Sequence, residues 1–250
     1  VKGTRASGER TVRASGSPAD SIQSCRDGRG QESAITGNRH TSWAFAEAYG
    51  APDAGTAAGE ALAWARDRSR EAGLTTVSPG CGDALRLLTA TADAKAVVEI
   101  GTGTGVSGLY LLLGMRPDGV LTSMDIEPER QQFAREAFRA AGFASNRARL
   151  IPGHALDVLP RLTDGGYDLV FCDGDREEYL DYLGEALRLL RPGGVICFAG
   201  VFADGRTVDS AAQSQGVLTL RELLRSLRDS ERLVPALLPV GDGLLCATCR

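Results

Sequence analysis

The chain has 250 residues, 43% of them hydrophobic and 24% charged, with a formal net charge of −4. That composition can fill a sizeable core and excludes global disorder, and the acidic balance argues against a partner with a nucleic-acid backbone. No stretch approaches the ~20 unbroken apolar residues of a membrane span. The first forty residues hold no apolar run of the kind a secretory leader needs. The expectation is a soluble, cytoplasmic protein with no nucleic-acid and no membrane partner.

Residues 1–40 carry six Gly, six Ser and scattered Arg without a sustained hydrophobic period. Such a segment cannot offset its ordering entropy, so a disordered tail is expected there. Residues 41–250 read as one domain, with cap helices over 41–92 and an α/β core over 93–250. Thr41-Ser42 is placed to cap a short helix carrying Trp43 and Phe45, and a second helix is expected near 56–72. Val77-Ser78-Pro79-Gly80 breaks the pattern before a helix through Leu85, Leu87 and Leu88.

Strand and helix then alternate. Strands are expected at Ala96–Ile100, Gly119–Met124, Ala148–Ile151, Asp168–Cys172 and Val195–Phe198, with helices at 106–115, 128–141, near 155–162, 177–190 and 217–227. Leu233–Leu238 and Gly243–Thr248, linked by Gly241-Asp242, close the chain as an antiparallel pair. Strands separated by helices of this length imply βαβ units and a doubly wound, mostly parallel sheet, with ligands at the carboxyl ends of its strands. Six cysteines are scattered at 25, 81, 172, 197, 246 and 249. Cys246-x-x-Cys249 falls in a strand, where residues three apart face opposite sides, so a structural role is expected rather than a redox or zinc site.

The densest signal is Val98-Glu99-Ile100-Gly101-Thr102-Gly103-Thr104-Gly105-Val106-Ser107. Its spacing is G-x-G-x-G after a strand and before a helix, and Val106 stands where a dinucleotide fingerprint needs its third glycine. Glu99, two residues before the first glycine, would repel a pyrophosphate but suits a cationic ligand. S-adenosylmethionine (SAM) carries a sulfonium and an ammonium and no phosphate. Asp125, twenty residues past Gly105 at the end of the next strand, is placed to accept both ribose hydroxyls. His154, in Gly153-His154-Ala155, reads as a turn residue near the adenine.

From about residue 41 to the end, the chain resembles the cation-dependent O-methyltransferases related to catechol O-methyltransferase, in their small bacterial form. The residues that carry the resemblance are Val77-Ser78-Pro79, Glu99 to Ser107, Met124-Asp125-Ile126-Glu127-Pro128 and Tyr167 through Asp173-Gly174-Asp175. The resemblance implies a Rossmann-like, class I methyltransferase fold: a seven-stranded, mostly parallel sheet with a terminal antiparallel hairpin. It also implies SAM as cofactor, a small phenol- or catechol-like methyl acceptor and a homodimer. Carried over by position, the cofactor residues are Val77, Glu99, Gly101, Thr102, Gly103, Ser107, Asp125, Ile126, Ala155 and Asp173, with Ser107 on the methionine carboxylate. Asp173 and Asp175 would meet the acceptor.

The pattern breaks in two places. The family sets a divalent cation such as Mg2+ on an aspartate after the fourth strand and an Asp-Asn pair after the fifth. Asp173 matches the first, but Ala199 and Gly200 stand at the pair and offer no side-chain oxygen, while magnesium needs well-placed carboxylates. Asp173 is then the one matching metal ligand left, with Asp175 beside it as a further candidate and Asp204 an outside one, and metal dependence is expected to be weakened or lost. Arg176 stands where the family has a lysine proposed as general base, and a guanidinium cannot play that part. Lysine occurs only at Lys2 and Lys95 in this chain, so no other lysine takes the position. Three functions are consistent with this reading: a SAM-dependent O-methyltransferase with Asp173 and Arg176 as catalytic residues, a non-catalytic SAM-binding protein, and a nucleic-acid or protein methyltransferase. The absence of an Asn/Asp-Pro-Pro-aromatic motif after strand four disfavours methylation of base amino groups.

Overall fold

Val97 and Val98 point to opposite faces of a strand and both are fully buried, which requires a sheet covered on two sides. They belong to β1 (Ala96–Ile100) in a computed structural model that describes residues 40–250. The other strands are β2 (Val120–Asp125), β3 (Ala148–Pro152), β4 (Tyr167–Cys172), β5 (Leu190–Ala199), β6 (Leu233–Leu238) and β7 (Leu244–Cys249). They form one seven-stranded sheet in the order β3-β2-β1-β4-β5-β7-β6. Neighbours from β3 to β5 run parallel, whereas β7 lies antiparallel between β5 and β6. The expected mostly parallel sheet with a terminal antiparallel hairpin is therefore present.

Residues 40–48 are helical (α1), followed by α2 (Ala57–Glu71), α3 (Pro79–Thr91), α4 (Val106–Gly114), α5 (Pro128–Ala140), the short α6 (Ala155–Val158), α7 (Tyr179–Leu189) and α8 (Gln215–Asp229). Phe45–Arg250 forms one compact unit. The tail expected over 1–40 lies, apart from His40, outside the described residues. Alternation along the strands sorts the core into two layers. Val97, Leu169, Phe171 and Cys197 pack with Leu62, Leu85, Leu109 and Phe138 of α2 to α5. Val98, Val170, Ile196 and Phe198 pack on the other face with Tyr179, Leu183, Leu220 and Leu223 of α7 and α8. Cys246 falls in the first layer and Cys249 against the second, so the CxxC spacing splits across the sheet.

Several local expectations shift for physical reasons. Thr41 and Ser42 sit inside α1, which is already helical at residue 40, so neither is its cap. The helix expected over 155–162 stops at Val158 and continues as a 3-10 turn over Leu159–Arg161, where Pro160 has no amide to donate. β5 begins five residues before Val195, at Leu190, because Leu190 pairs with Tyr167 across a register shift that absorbs Pro192-Gly193-Gly194. Asp168 clasps the strand starts together: its carboxylate accepts from the amides of Lys95 (2.7 Å) and Ala96 (2.8 Å) and from Arg191 Nε (2.6 Å).

Strand order reverses beside β1, since β2 lies on one side and β4 on the other. The loops leaving β1 and β4 therefore diverge at their carboxyl ends, and a crevice opens between them. That is where the glycine loop falls.

Candidate active site

A cleft of about 410 Å³ opens at this point. Val77, Gly101, Thr102, Gly103, Ser107, Asp125, Ile126, Ala155, Asp173 and Asp175 all line it. Ten positions spread over a hundred residues of sequence are thus brought to one cavity. Two predicted site residues are not in its wall. Glu99 is fully buried behind Ser107, and Arg176 lines a neighbouring cavity.

The cleft floor is set by backbone. Gly101 has φ +93°, and a Cβ there would stand 2.5 Å from the carbonyl oxygen of Asp173. Only glycine allows β1 and β4 to leave the sheet this close together. The amide of Gly101 donates to Met124 O at 2.9 Å and that of Asp173 to Ile100 O at 2.8 Å, tying the loop to both neighbouring strands. Asp125 is fixed in turn: Oδ2 accepts from the Gly103 amide (2.7 Å), Oδ1 from the Glu127 amide (2.9 Å), and Arg130 lies 3.7 Å away. A carboxylate has about four acceptor sites, so Asp125 retains capacity for two ligand hydroxyls.

Glu99 is the most buried acid. Its two oxygens accept from Ser107 Oγ and Ser123 Oγ, both at 2.6 Å. Ser123 also shares a 2.6 Å bond with Thr102 Oγ1, which accepts from Gln131 Nε2 at 3.2 Å. Burial raises the Glu99 pKa to about 8, against the pull of its two serine donors. The position predicted to meet a cationic ligand therefore acts on the cleft through Ser107.

Asp173 is also pushed up, to about 7, by burial, with the Arg176 guanidinium pulling the other way. Arg176 leaves β4 on a 3-10 turn and reaches over the end of β5. Its Nη2 pairs with Asp242 Oδ2 at 3.2 Å. Asp175 caps that turn, its Oδ1 accepting from the Glu177 amide at 2.9 Å.

The residues here do not fit the divalent cation of the resemblance. Ala199 and Gly200 present no side-chain oxygen, and a Cβ at Gly200 would lie 2.6 Å from Arg176 Nη2. Asp204 is spread into solvent and faces Arg206 at 3.5 Å. Among the described residues no group of three or more His, Cys, Asp and Glu side chains could hold a metal ion.

Sequence reasoning missed a polar cluster on the cleft wall. His154 Nε2 lies 2.9 Å from Glu178 Oε1, and Tyr182 donates to the other oxygen of the same carboxylate. All three residues line the cleft. Glu178 and Tyr182 are a helical i,i+4 pair that the sequence could have offered. The partnership with His154, 24 residues away, has no local signature. Glu47, which accepts from the amides of Gly80 and Gly241 at 3.0 and 2.6 Å, was likewise invisible.

A switch-point cleft with a glycine loop and an acid at the end of the second strand, on a sheet closed by a reversed hairpin, defines a Rossmann-like methyltransferase. More narrowly, the chain belongs to the O-methyltransferase family, whose pattern matches residues 65–249. A protein of Mycobacterium tuberculosis (strain H37Rv) named "Probable O-methyltransferase" is 50% identical over 186 residues, covering 74% of this chain and 83% of that one. Among solved structures, an O-methyltransferase of Streptomyces achromogenes involved in tomaymycin synthesis, in complex with SAM, is 30% identical with a TM-score of 0.70, covering 76% of this chain and 89% of the other. A Podospora anserina methyltransferase bound to S-adenosylhomocysteine (SAH) is 26% identical with a TM-score of 0.71, covering 86% and 96%.

Proposed function

We propose that this O-methyltransferase moves the methyl group of SAM to a hydroxyl of a small, phenol- or catechol-like molecule and does so without a divalent cation. The observation that carries the cofactor half is the convergence of Gly101, Gly103, Ser107 and Asp125 on one cleft. The SAM held by the Streptomyces relative supports it. Asp125 takes the ribose hydroxyls, Ile126 and Ala155 flank the adenine, and Ser107, in the first turn of α4, takes the methionine carboxylate with the partial positive charge of the helix start.

The acceptor meets the methyl group beside Asp173, which lines both this cleft and the next cavity. The hydroxyl oxygen attacks the methyl carbon in line. The carbon–sulfur bond breaks, its electron pair neutralises the sulfonium to give SAH, and Asp173 receives the hydroxyl proton. The chain contributes chiefly positioning and the exclusion of water. A homodimer, as the resemblance implies, belongs to the same proposal and is checked by light scattering.

Calorimetry with SAM and SAH, followed by methyl transfer to a phenol panel with and without magnesium, tests the whole reading. Absence of SAM and SAH binding at millimolar concentration refutes the cofactor assignment. Binding without transfer to any acceptor supports the second reading, a cofactor-binding protein without catalysis, which the two replaced metal positions favour. Strong activation by magnesium, abolished by chelation, overturns the metal-free assignment.

A further inference from the structure

Three separate segments meet at one guanidinium. Arg176 comes from the turn after β4, Gly200 from the end of β5, and Asp242 from the β6–β7 turn. A side chain at Gly200 would have to start 2.6 Å from Arg176 Nη2, on a backbone at φ +66°. The guanidinium therefore fills the space that any larger residue at 200 would claim. Asp242 pairs with the same nitrogen at 3.2 Å, and the second oxygen of Asp242 accepts from the Asp204 amide at 2.9 Å. Asp242 is thus anchored at one oxygen and clamps Arg176 with the other.

The clamp leaves the guanidinium in contact with open space. About a third of the Arg176 side chain is exposed, and it lines a cavity of about 450 Å³ together with Asp173, Arg206 and Ser214. Asp173 also lines the cofactor cleft, so the two cavities adjoin at the carboxylate where the acceptor hydroxyl is expected. The acids facing this cavity are Asp173, Asp175 and Glu177. Asp175 is engaged as a turn cap, and the fixed positive charge beside Asp173 is Arg176.

We propose that Arg176, clamped by Asp242 over Gly200, is the resident cation of the acceptor site: it binds the acceptor oxygen as that oxygen loses its proton, and it stands where a divalent ion would otherwise be needed. Asp242 is its positioning residue. The inference rests on the methyltransferase reading above and adds the charge that stabilises the reacting oxygen. A planar guanidinium presents fixed donors at no cost of reorganisation, the condition under which an oxyanion site is effective. The acceptor class it fits has an ionisable hydroxyl, and the benefit is largest when that hydroxyl is weakly acidic.

The test compares two acceptors, a weakly acidic phenol and a nitro-substituted phenol that is already ionised at assay pH. Three variants are used, Arg176→Met, Asp242→Asn and Gly200→Ala, each checked for folding by thermal melting and for SAH affinity. Arg176→Met is expected to lower kcat on the weakly acidic phenol by on the order of a hundredfold, and the other two by about tenfold, with SAH affinity unchanged. The nitrophenol should lose far less in every case. A manganese titration of the wild-type protein, read by electron paramagnetic resonance, should show no bound ion. Equal losses on both acceptors overturn the proposal, as does one manganese ion bound per chain or SAH binding without transfer to either phenol. Loss of SAH binding by the wild-type protein would instead strike the methyltransferase reading. Should one variant fail to fold, the other two still decide, because each alters the guanidinium itself or one of its two separate contacts.

Discussion

Replacing Glu99 by Gln should change how stability depends on pH. The carboxyl is fully buried between Ser107 and Ser123, and burial raises its pKa from 4.5 to about 8. The folded state therefore keeps a proton that the unfolded chain gives up above pH 4.5. The stability this provides is complete below pH 4.5 and is lost as pH rises through 8. At about 1.4 kcal/mol per pKa unit the swing is on the order of 5 kcal/mol. Gln has nearly the same volume and no proton to lose, so its stability lacks this slope. Like the protonated carboxyl, its amide offers the two serines one donor group and one carbonyl acceptor, so the exchange is close to neutral below pH 8. Denaturant unfolding of both proteins at pH 5, 6.5, 8 and 9 measures the difference. The two proteins should differ little at pH 5, and the variant should be the more stable at pH 9. A difference that stays flat from pH 5 to 9 would refute the reasoning, because it would mean that Glu99 is ionised in the folded protein throughout.

Other outcomes follow from the same geometry. Asp125→Ala should weaken SAM and SAH binding about 10- to 100-fold, the loss of one or two charge-assisted hydrogen bonds, read by calorimetry with unchanged melting. Gly101→Ala places a methyl group 2.5 Å from the Asp173 carbonyl at φ +93°; it should cost at least about 2 kcal/mol of stability and abolish SAM binding. Asp168→Ala removes the clasp on Lys95, Ala96 and Arg191 and should destabilise the fold by about 3 kcal/mol. Burial opposes ionisation of Asp168, but its backbone and arginine donors prevail and lower its pKa below 3.8. Its contribution is therefore present above pH 3.8 and lost as pH falls below that value, so the wild-type and Asp168→Ala melting curves should converge in acid. Asp173→Asn should lower methyl transfer by a far larger factor than it lowers SAH affinity, the two being read by a transfer assay and calorimetry.

The sheet was legible because its strands are buried on both faces and so stand out as unbroken apolar runs such as Val97-Val98 and Val195-Ile196-Cys197-Phe198. The cofactor cleft was legible because glycines on its floor that must approach a neighbouring strand closely leave a trace in sequence. Boundaries were less so. Leu190 enters β5 only through a long-range pairing with Tyr167 that tolerates the intervening Pro-Gly-Gly, and no local rule reports that. Side-chain partnerships between distant segments were hidden altogether: His154 with Glu178, Glu47 with Gly241 and Arg176 with Asp242 each join residues whose spacing carries no period.

The sequence presents Ala199, Gly200 and Arg176 as separate departures from the family pattern, two lost metal ligands and one lost lysine. In three dimensions Gly200 and Arg176 belong together. Arg176 reaches over Gly200, and a side chain at 200 would have to displace the guanidinium from its present position. An Asn at 200 would push the guanidinium off its present place over β5. The scarcity of lysine along the chain is in keeping with an arginine at 176. It does not explain a glycine at 200 or an aspartate at 242 in the clamping position. The expected consequence is non-additivity: Gly200→Ala and Arg176→Met act on the same guanidinium, so the double variant should transfer methyl groups no more slowly than Arg176→Met alone. Additive losses in that cycle would mean that Gly200 and Arg176 serve different ends.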